Sequence, residues 1–224
     1  RVSRRQFFEQ AMAAGAITAV GATAWGGAGA WPSFIGQAQA NEERFTSAAL
    51  KGVSYFRARN EAQITLVKKL QSAIKSRDLA AARRAYVDAR PPYEEIEVLA
   101  ASFEQSDSDI DARPYSFTGG ETSDDFRGFH KIEYLLFRDD DLDLAAQYAD
   151  RLAEIHERLH QELAEPERYS AKGHFEGMIG LAEEIGSLKI SSEEETWSDQ
   201  SMLIFRSNII GIFSQYEPFS KDVR

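Results

Sequence analysis

The sequence predicts an all-α protein, an antiparallel helical bundle of the four-helix type in which prolines kink one helix. The first observation is periodicity, because apolar residues recur at steps of three and four, as in an amphipathic helix. The second is that no segment alternates apolar and polar residues with the period of a strand. Helices without strands bury their apolar faces against one another, which predicts a bundle. The clearest periodic run is Val53, Phe56, Ile64, Val67, Leu70 and Ile74.

The helices can be placed in order along the chain. A long helix is predicted over 43–76, and Asp78 is a suitable N-cap for the next one. Pro91-Pro92 must kink or break that second helix, because neither proline can donate a backbone hydrogen bond. The helix then resumes as far as Phe103, and the polar, turn-rich stretch 105–122 is predicted as a structured loop. The remaining helices are predicted at 123–138, 141–165, 170–187 and 193–216.

Residues 1–40 have the pattern of an export signal. Ser3-Arg4-Arg5-Gln6-Phe7-Phe8 carries paired arginines, an Ala/Gly-rich run follows, and Ala38-Gln39-Ala40 fits a small-residue cleavage site. The run is too rich in glycine and alanine, and too interrupted by Pro32, for a membrane anchor. The prediction is a twin-arginine signal peptide at 1–40 and a helical domain at 41–224, exported to a periplasm or a comparable lumen.

The charge and the absence of cysteine limit the possible functions. Residues 1–40 hold three Arg and one Glu, so residues 41–224 carry 23 basic and 35 acidic residues, a net charge of −12. An acidic surface of this kind repels nucleic acid and anionic membranes and favours cations. Because the chain has no cysteine, any metal ion must be held by oxygen and imidazole ligands.

Two polar pairs interrupt apolar helical stretches. His130 and Glu133 lie one helical turn apart on a stripe that also carries large apolar residues, and Glu94 and Glu97 have the same spacing directly after Pro91-Pro92. Buried carboxylates need a cation or hydrogen bonds. A metal ion held between two helices would satisfy both pairs. A hydrogen-bonded His–Glu pair in an ordinary core, and two glutamates on a solvated face, remain alternatives.

Taken together, four motifs resemble the imelysin-like family, and within it the short periplasmic iron-uptake components of EfeO/EfeM type. The resemblance runs from about residue 45 to 215. The motifs are Gly128-x-His130-x-x-Glu133, the stretch Pro92-Tyr93-Glu94-x-Ile96-Glu97 that continues to Ala101-Ser102-Phe103, the acidic segment Asp109–Arg113, and Lys189–Glu194 before the last helix.

The resemblance implies a set of metal ligands, a cargo and partners. Glu193 and Glu194 would form a possible second metal site, although Ser198–Ser201 replaces the Ser-His-x-Asp segment usual in the family. The implied ion is iron, ferrous or ferric, with zinc, copper or manganese as other possibilities. The implied partners are a membrane iron permease and a peroxidase-type protein of the same system, with neither nucleic acid nor a membrane anchor after cleavage. The resemblance is to the short type, which consists of the imelysin domain without the cupredoxin domain of longer members. The implied ligands are His130, Glu133, Glu94, Glu97 and Asp111.

Two rival functions stay open. His156-Glu157-Arg158-Leu159-His160 is a literal H-E-x-x-H, the zincin metallopeptidase motif, and the imelysin family is itself nominally a metallopeptidase family. The charged Arg158 and the lack of any predicted strand argue against the zincin interpretation. A metal-bridged acidic polysaccharide is the other possibility, since aromatic residues could stack on sugars, although packing in the core or at its rim is their more usual role. Candidates for that role are Tyr115, Phe117, Trp197 and Tyr216. His174 has no evident partner and is predicted at the surface.

Overall fold

The computed structural model describes the backbone of residues 31–191 and 194–221, and the side chains of 42–190 and 194–221. The predicted signal segment therefore lies largely outside the described residues. The compact unit that carries the core begins at Glu42. Eight α-helices occur in the described ranges: α1 Trp31–Lys75, α2 Leu79–Ala89, α3 Pro91–Ile96, α4 Glu104–Ile110, α5 Phe129–Phe137, α6 Leu142–Glu162, α7 Ala171–Ser187 and α8 Ser201–Tyr216. Short 3₁₀ turns connect several of them.

The all-α prediction is confirmed, since the described residues contain no β-strand. The apolar stripe of α1 is buried as the periodicity predicts, with Val67 and Leu70 fully covered. The side chain of Asp78 accepts a hydrogen bond from the Ala81 amide at 2.9 Å and caps α2. None of the described helices has both the length and the apolar character that crossing a membrane requires.

The proline kink is also confirmed. Helix α2 ends at Ala89 and α3 starts at Pro91, because proline fits the first turn of a helix but interrupts the interior of one. The helix does not resume to Phe103 as a regular α-helix; a 3₁₀ turn over Glu97–Ser102 follows α3. The result is a short, buried, irregular segment rather than one long kinked helix.

Helices α7 and α8 pack closely on this irregular segment. A Cβ atom at Gly177 of α7 would overlap the carbonyl oxygen of Val98, and one at Gly211 of α8 would overlap that of Glu95. The two glycines therefore let helix backbones approach the segment directly. This close packing places the acidic residues of α3 deep inside the bundle.

The predicted loop at 105–122 is wrong in its first part, where the chain forms helix α4. Its sequence, EQSDSDI, has weak intrinsic helix propensity. Contacts with other helices hold it instead: Tyr93 donates to Asp107 at 2.6 Å, and Arg158 of α6 pairs with Asp109 at 2.7 Å. Two 3₁₀ turns, at Pro114–Ser116 and Gly120–Thr122, occupy the remainder of the stretch.

The last helix begins later than predicted, at Ser201 rather than residue 193. The described residues before it, 194–200, form turns that lie over a buried polar cluster instead of extending α8. Helix α5 likewise starts at Phe129, six residues after the predicted boundary. Both differences occur where the chain supplies groups to the candidate site.

Candidate metal centre

The candidate site begins at the first turn of α5. Gly128 precedes the helix with φ of 80°, and a Cβ atom there would overlap the carbonyl oxygen of Ile110. Only glycine fits this position without displacing the backbone. The close approach brings the start of α5 against the end of α4, and so brings His130 next to Asp111. His130 Nε2 lies 3.3 Å from Asp111 Oδ1.

Glu133 is held in one orientation by hydrogen bonds. Its Oε1 accepts from the backbone amides of Trp197 and Ser198, each at 2.8 Å. Its Oε2 lies 3.2 Å from His130 Nδ1. The side chains of His130 and Glu133 are both fully buried. Because a carboxylate held in this way keeps its position and its charge, Glu133 is preorganised to meet a cation.

A third group completes a possible ligand set. Glu195 lies in the turn before α8, and its ligand oxygen, one Glu133 oxygen and one His130 nitrogen all lie within 4.8 Å of one another. Tyr86 donates to Glu195 at 3.2 Å and Ser198 Oγ donates to it at 2.6 Å. One imidazole and two carboxylates are ligands that suit iron, manganese and zinc.

The pKa values in this trio follow from its contacts. Burial and the nearby Arg113 disfavour the charged form of His130, but hydrogen bonds with Asp111 and Glu133 outweigh them and raise its pKa. Burial raises the pKa of Glu133, and the contact with His130 together with the two amides reverses this, so its pKa is lowered. Without a metal ion, His130 therefore tends to hold a proton that a bound cation would replace.

Two buried arginines, Arg90 and Arg113, lie among these acidic groups and pair with them. Arg90 lies 2.6 Å from Glu94 and 3.4 Å from Asp111, contacts Glu195 directly, and stacks 4.9 Å from the centre of the Phe129 ring. Its guanidinium connects the acidic groups of α3 with those near α5. The pKa of Asp111, which burial alone would raise, is held well below its usual range, chiefly by Arg113.

Lys189 forms the third basic centre, in the 3₁₀ turn after α7. Its ammonium lies 2.7 Å from Glu97, 3.2 Å from Glu194 and 3.4 Å from Glu94. Burial raises the pKa of Glu97 to about 8, even though Lys189 opposes that effect. For Glu194, burial is outweighed by Arg113 and Lys189, and the pKa falls to about 2.

The cluster carries more negative than positive charge. It contains six buried carboxylates and three buried basic side chains. With Glu97 protonated at neutral pH, because its pKa is about 8, and with His130 neutral, a formal excess of two negative charges remains. Such an excess is costly inside a protein unless a cation compensates it. The carboxylates are Glu94, Glu97, Asp111, Glu133, Glu194 and Glu195, and the basic groups are Arg90, Arg113 and Lys189.

The structure places all five ligands of the predicted main site in this one cluster, although not in one coordination shell. His130 contacts both Glu133 and Asp111, whereas Arg90 lies between Glu94 and Asp111, and Glu94 and Glu97 both contact Lys189. In the predicted second site, Glu194 is buried against Arg113 and Lys189, and Glu193 lies outside the described residues. Sequence reasoning missed Glu195 and the three basic groups. The only signal for Glu195 was its place in the acidic run Glu193–Glu195.

The H-E-x-x-H segment lies on α6 and is arranged differently. His156 is fully buried between the rings of Tyr93 and Phe129, at 6.1 and 5.8 Å between ring centres. Glu157 points to the surface, where it pairs with Lys68 of α1 at 3.0 Å. Burial, and then the charge of Arg90, lower the pKa of His156 to about 3. These contacts do not bring Glu157 to the imidazole as a zincin site requires.

His174 is buried rather than at the surface, and its Nδ1 lies 2.8 Å from the Ser170 carbonyl oxygen. Trp197 packs on Tyr134 with ring centres 5.2 Å apart. The other three aromatic residues proposed for sugar stacking are Tyr115 and Tyr216, which are exposed, and Phe117, which packs on Phe126.

Comparison with known proteins confirms the family resemblance. The sequence profile of the imelysin family, a peptidase family by its designation, matches residues 54–223. The chain belongs to the imelysin family. All the groups of the buried cluster lie inside the matched segment, so the cluster is part of the imelysin domain itself.

Several relatives are named as components of an iron uptake system. The iron uptake system component EfeO of Yersinia pseudotuberculosis is 34% identical over 148 residues, which cover 66% of this chain and 39% of the relative. EfeM of Pseudomonas syringae is 32% identical over 155 residues, covering 67% of this chain and 53% of the relative. EfeO of Escherichia coli K12 is 31% identical over 162 residues, which cover 70% of this chain and 42% of the relative. This imelysin chain thus spans about half or less of the length of these relatives.

Proposed function

We propose that the protein binds an iron ion in the buried acidic cluster and serves an iron uptake system. The observation that carries this proposal is the convergence of His130, Glu133 and Glu195, from two distant parts of the chain, within 4.8 Å. Asp111, 3.3 Å from His130, is a further candidate ligand, and Glu94, which contacts the same Arg90 as Asp111, adds negative charge. The names of the EfeO and EfeM relatives support iron as the cargo.

Capture of an ion fits the site better than peptide hydrolysis. His130, Glu133 and Glu195 are each at most 1% exposed, so a peptide bond cannot reach them without extensive opening of the bundle. A catalytic metal also needs an open coordination position and a general base beside the substrate. A small ion needs a much smaller opening, and a carboxylate-rich shell favours retention over catalysis.

A metal titration with a matched pair of glutamate variants tests the proposal. We expect the purified chain to bind Fe²⁺ under anaerobic conditions, and Mn²⁺ and Zn²⁺ in separate titrations. Glu133→Gln should weaken binding by about tenfold or more, because it removes a charged ligand but keeps the shape. Glu157→Gln, on the outer side of α6, is the control and should leave the affinity unchanged. Equal affinities for the two variants would contradict the proposed site.

We further propose that the chain is exported by the twin-arginine route and delivers iron in a periplasm. The support is the Arg4-Arg5 pair with its apolar run and Ala38-Gln39-Ala40. The implied partners are a membrane permease and a peroxidase-type protein. Replacing both arginines by lysine should keep the protein in the cytoplasmic fraction, whereas normal export of that variant would exclude this route.

A further inference from the structure

Ser198 lies in the turn before α8 and contacts two of the three candidate ligands. Its backbone amide donates to Glu133 Oε1 at 2.8 Å. Its side-chain hydroxyl donates to Glu195 Oε2 at 2.6 Å. Glu133 reaches the site from α5, whereas Glu195 belongs to the same turn as the serine. One residue therefore holds carboxylates that come from two separate segments of the chain.

Backbone contacts close the turn that carries Ser198. The amide of Asp199 donates to the carbonyl oxygen of Glu195 at 3.1 Å. Asp199 has φ of 59°, in the left-handed region that aspartate adopts more readily than most residues. The closed turn brings the hydroxyl of Ser198 back to the side chain of Glu195, three positions earlier in the chain.

The hydroxyl of Ser198 completes the set of contacts that fix the Glu195 carboxylate. Tyr86 and Arg90 both donate to one oxygen of Glu195, Oε1. Among residues 42–190 and 194–221, the hydroxyl of Ser198 is the only hydrogen-bond donor to the other oxygen, Oε2. A carboxylate held at one oxygen alone is free to turn about it, so the serine is what fixes the orientation of the group.

The orientation of a ligand affects the affinity for an ion. Ligands that already hold their binding geometry lose little freedom when the ion arrives, and partners that orient them contribute about 10–100-fold to metal affinity. The serine hydroxyl carries no charge. Its effect on the site is therefore a matter of ligand geometry and not of charge balance.

We propose that Ser198 is a positioning residue of the metal centre, and that its hydroxyl holds Glu195 in the orientation that lets it bind the ion together with His130 and Glu133. The inference rests on the proposed metal-binding function. Ser198 acts through Glu195 and is not itself a ligand of the ion.

The direct test is Co²⁺ titration of the full chain with Ser198→Ala. Co²⁺ accepts the same nitrogen and oxygen ligands as the other divalent ions of its row. The variant removes the hydroxyl but keeps the backbone amide that serves Glu133, and it changes no charge. The affinity should fall about tenfold. Ser201→Ala removes a hydroxyl that donates to the carbonyl oxygen of Glu194 at 3.2 Å; it is the matched control and should keep the wild-type affinity.

Two further readouts separate positioning of Glu195 from a general loss of stability. The visible absorption of bound Co²⁺ depends on the ligands around the ion, so the spectrum of Ser198→Ala should change in the same direction as that of Glu195→Gln. In addition, Ser198→Ala should weaken binding by less than about twofold when it is added to Glu195→Gln, because residues that act through one another are not additive.

Each outcome decides the proposal. If Ser198→Ala keeps the wild-type affinity and spectrum while Glu133→Gln weakens binding, the serine positions no ligand, and the metal centre stands without this role. If Ser198→Ala and Glu195→Gln weaken binding additively, the serine does not act through Glu195 and the proposal is wrong. If the wild type binds no Co²⁺, the proposed function fails and this inference fails with it.

Discussion

Two helices of this protein, α5 and α6, carry a histidine and a glutamate in patterns associated with metal sites. The fold surrounds the residues of the two patterns with different groups. On α5, His130 and Glu133 both face the interior and meet Asp111 and Glu195 from other segments. On α6, the H-E-x-x-H pattern buries the imidazole of its first histidine completely, among aromatic rings, while Glu157 lies at the surface. Spacing along one helix sets which face a residue occupies. Whether a cation site forms depends on carboxylates that other segments bring to that face.

The two buried imidazoles also differ in their electrostatic surroundings. Contacts with carboxylates raise the pKa of His130 above its usual value, whereas burial, with Arg90 nearby, lowers that of His156 to about 3. The same side chain at the same depth thus favours the charged form in one place and the neutral form in the other. Matched variants on α5 and α6 should therefore differ in their effects on stability and on metal binding.

The largest difference is expected at the glycine that begins α5. Gly128→Ala forces a Cβ atom into the carbonyl of Ile110 at a positive φ, so we expect a loss of about 3–4 kcal/mol in the free energy of unfolding. Urea denaturation measures it. Gly180→Ala in α7, where a Cβ atom meets nothing within 4 Å, is the control and should be neutral or stabilise by up to about 1 kcal/mol. Similar values for both would mean that α5 does not depend on this close approach.

The next largest difference in stability is expected between variants of the two glutamates, Glu133 on α5 and Glu157 on α6. Glu133→Ala leaves the buried amides of Trp197 and Ser198 without an acceptor, and we expect a loss of about 3 kcal/mol. Glu157→Ala removes only the exposed pair with Lys68 and should cost less than about 1 kcal/mol. Both are measured by denaturation in the presence of a chelator, so that metal binding does not contribute. A small loss for Glu133→Ala would mean that solvent or another group reaches the two amides.

The histidine of α6 should control part of the pH dependence of stability. Its folded pKa of about 3 lies below the unfolded value of about 6.5, so the unfolded chain binds the extra proton between these values. The free energy of unfolding then falls by up to about 1.4 kcal/mol for each pH unit below 6.5, and His156 contributes nothing above that pH.

His156→Leu removes this contribution. Compared with the wild type, the variant should gain about 2 kcal/mol of relative stability between pH 7.5 and pH 5. Denaturation curves at the two pH values measure the change. A constant difference between the two proteins would show that His156 is not kept neutral by its surroundings.

The sequence predicted the elements that periodicity and local chemistry determine. The stripe of α1, the Asp78 cap and the Pro91-Pro92 break depend on neighbouring residues, and these were confirmed. Helix α4 could not be predicted, because its polar residues become helical only through contacts such as Tyr93 with Asp107. These partners lie on separate helices, and only the tertiary fold brings them together.

The same limit applies to the candidate site. The pairs His130/Glu133 and Glu94/Glu97 could be found because each lies within one helical turn and interrupts an apolar stretch. Glu195 could not, since it acts from an irregular turn that has no period. Nor do isolated basic residues signal that they will be buried among acids, as Arg90 and Lys189 are. A sequence pattern shows which groups share a face, whereas the charge balance of a cluster depends on the whole fold.

The smallest expected effect is that of the second histidine of the H-E-x-x-H pattern on metal binding. His160→Ala should change the affinity for Zn²⁺ by less than about twofold, because the neighbouring Glu157 is directed to Lys68 and His156 to aromatic rings. Zinc titration of the variant beside His130→Ala measures this. A zincin site needs both histidines on one ion, so a loss of zinc binding in His160→Ala, with chelator-sensitive peptide cleavage in the wild type, would favour a peptidase. If His160→Ala binds zinc with unchanged affinity and His130→Ala loses about tenfold in affinity, the ion is assigned to the site on α5.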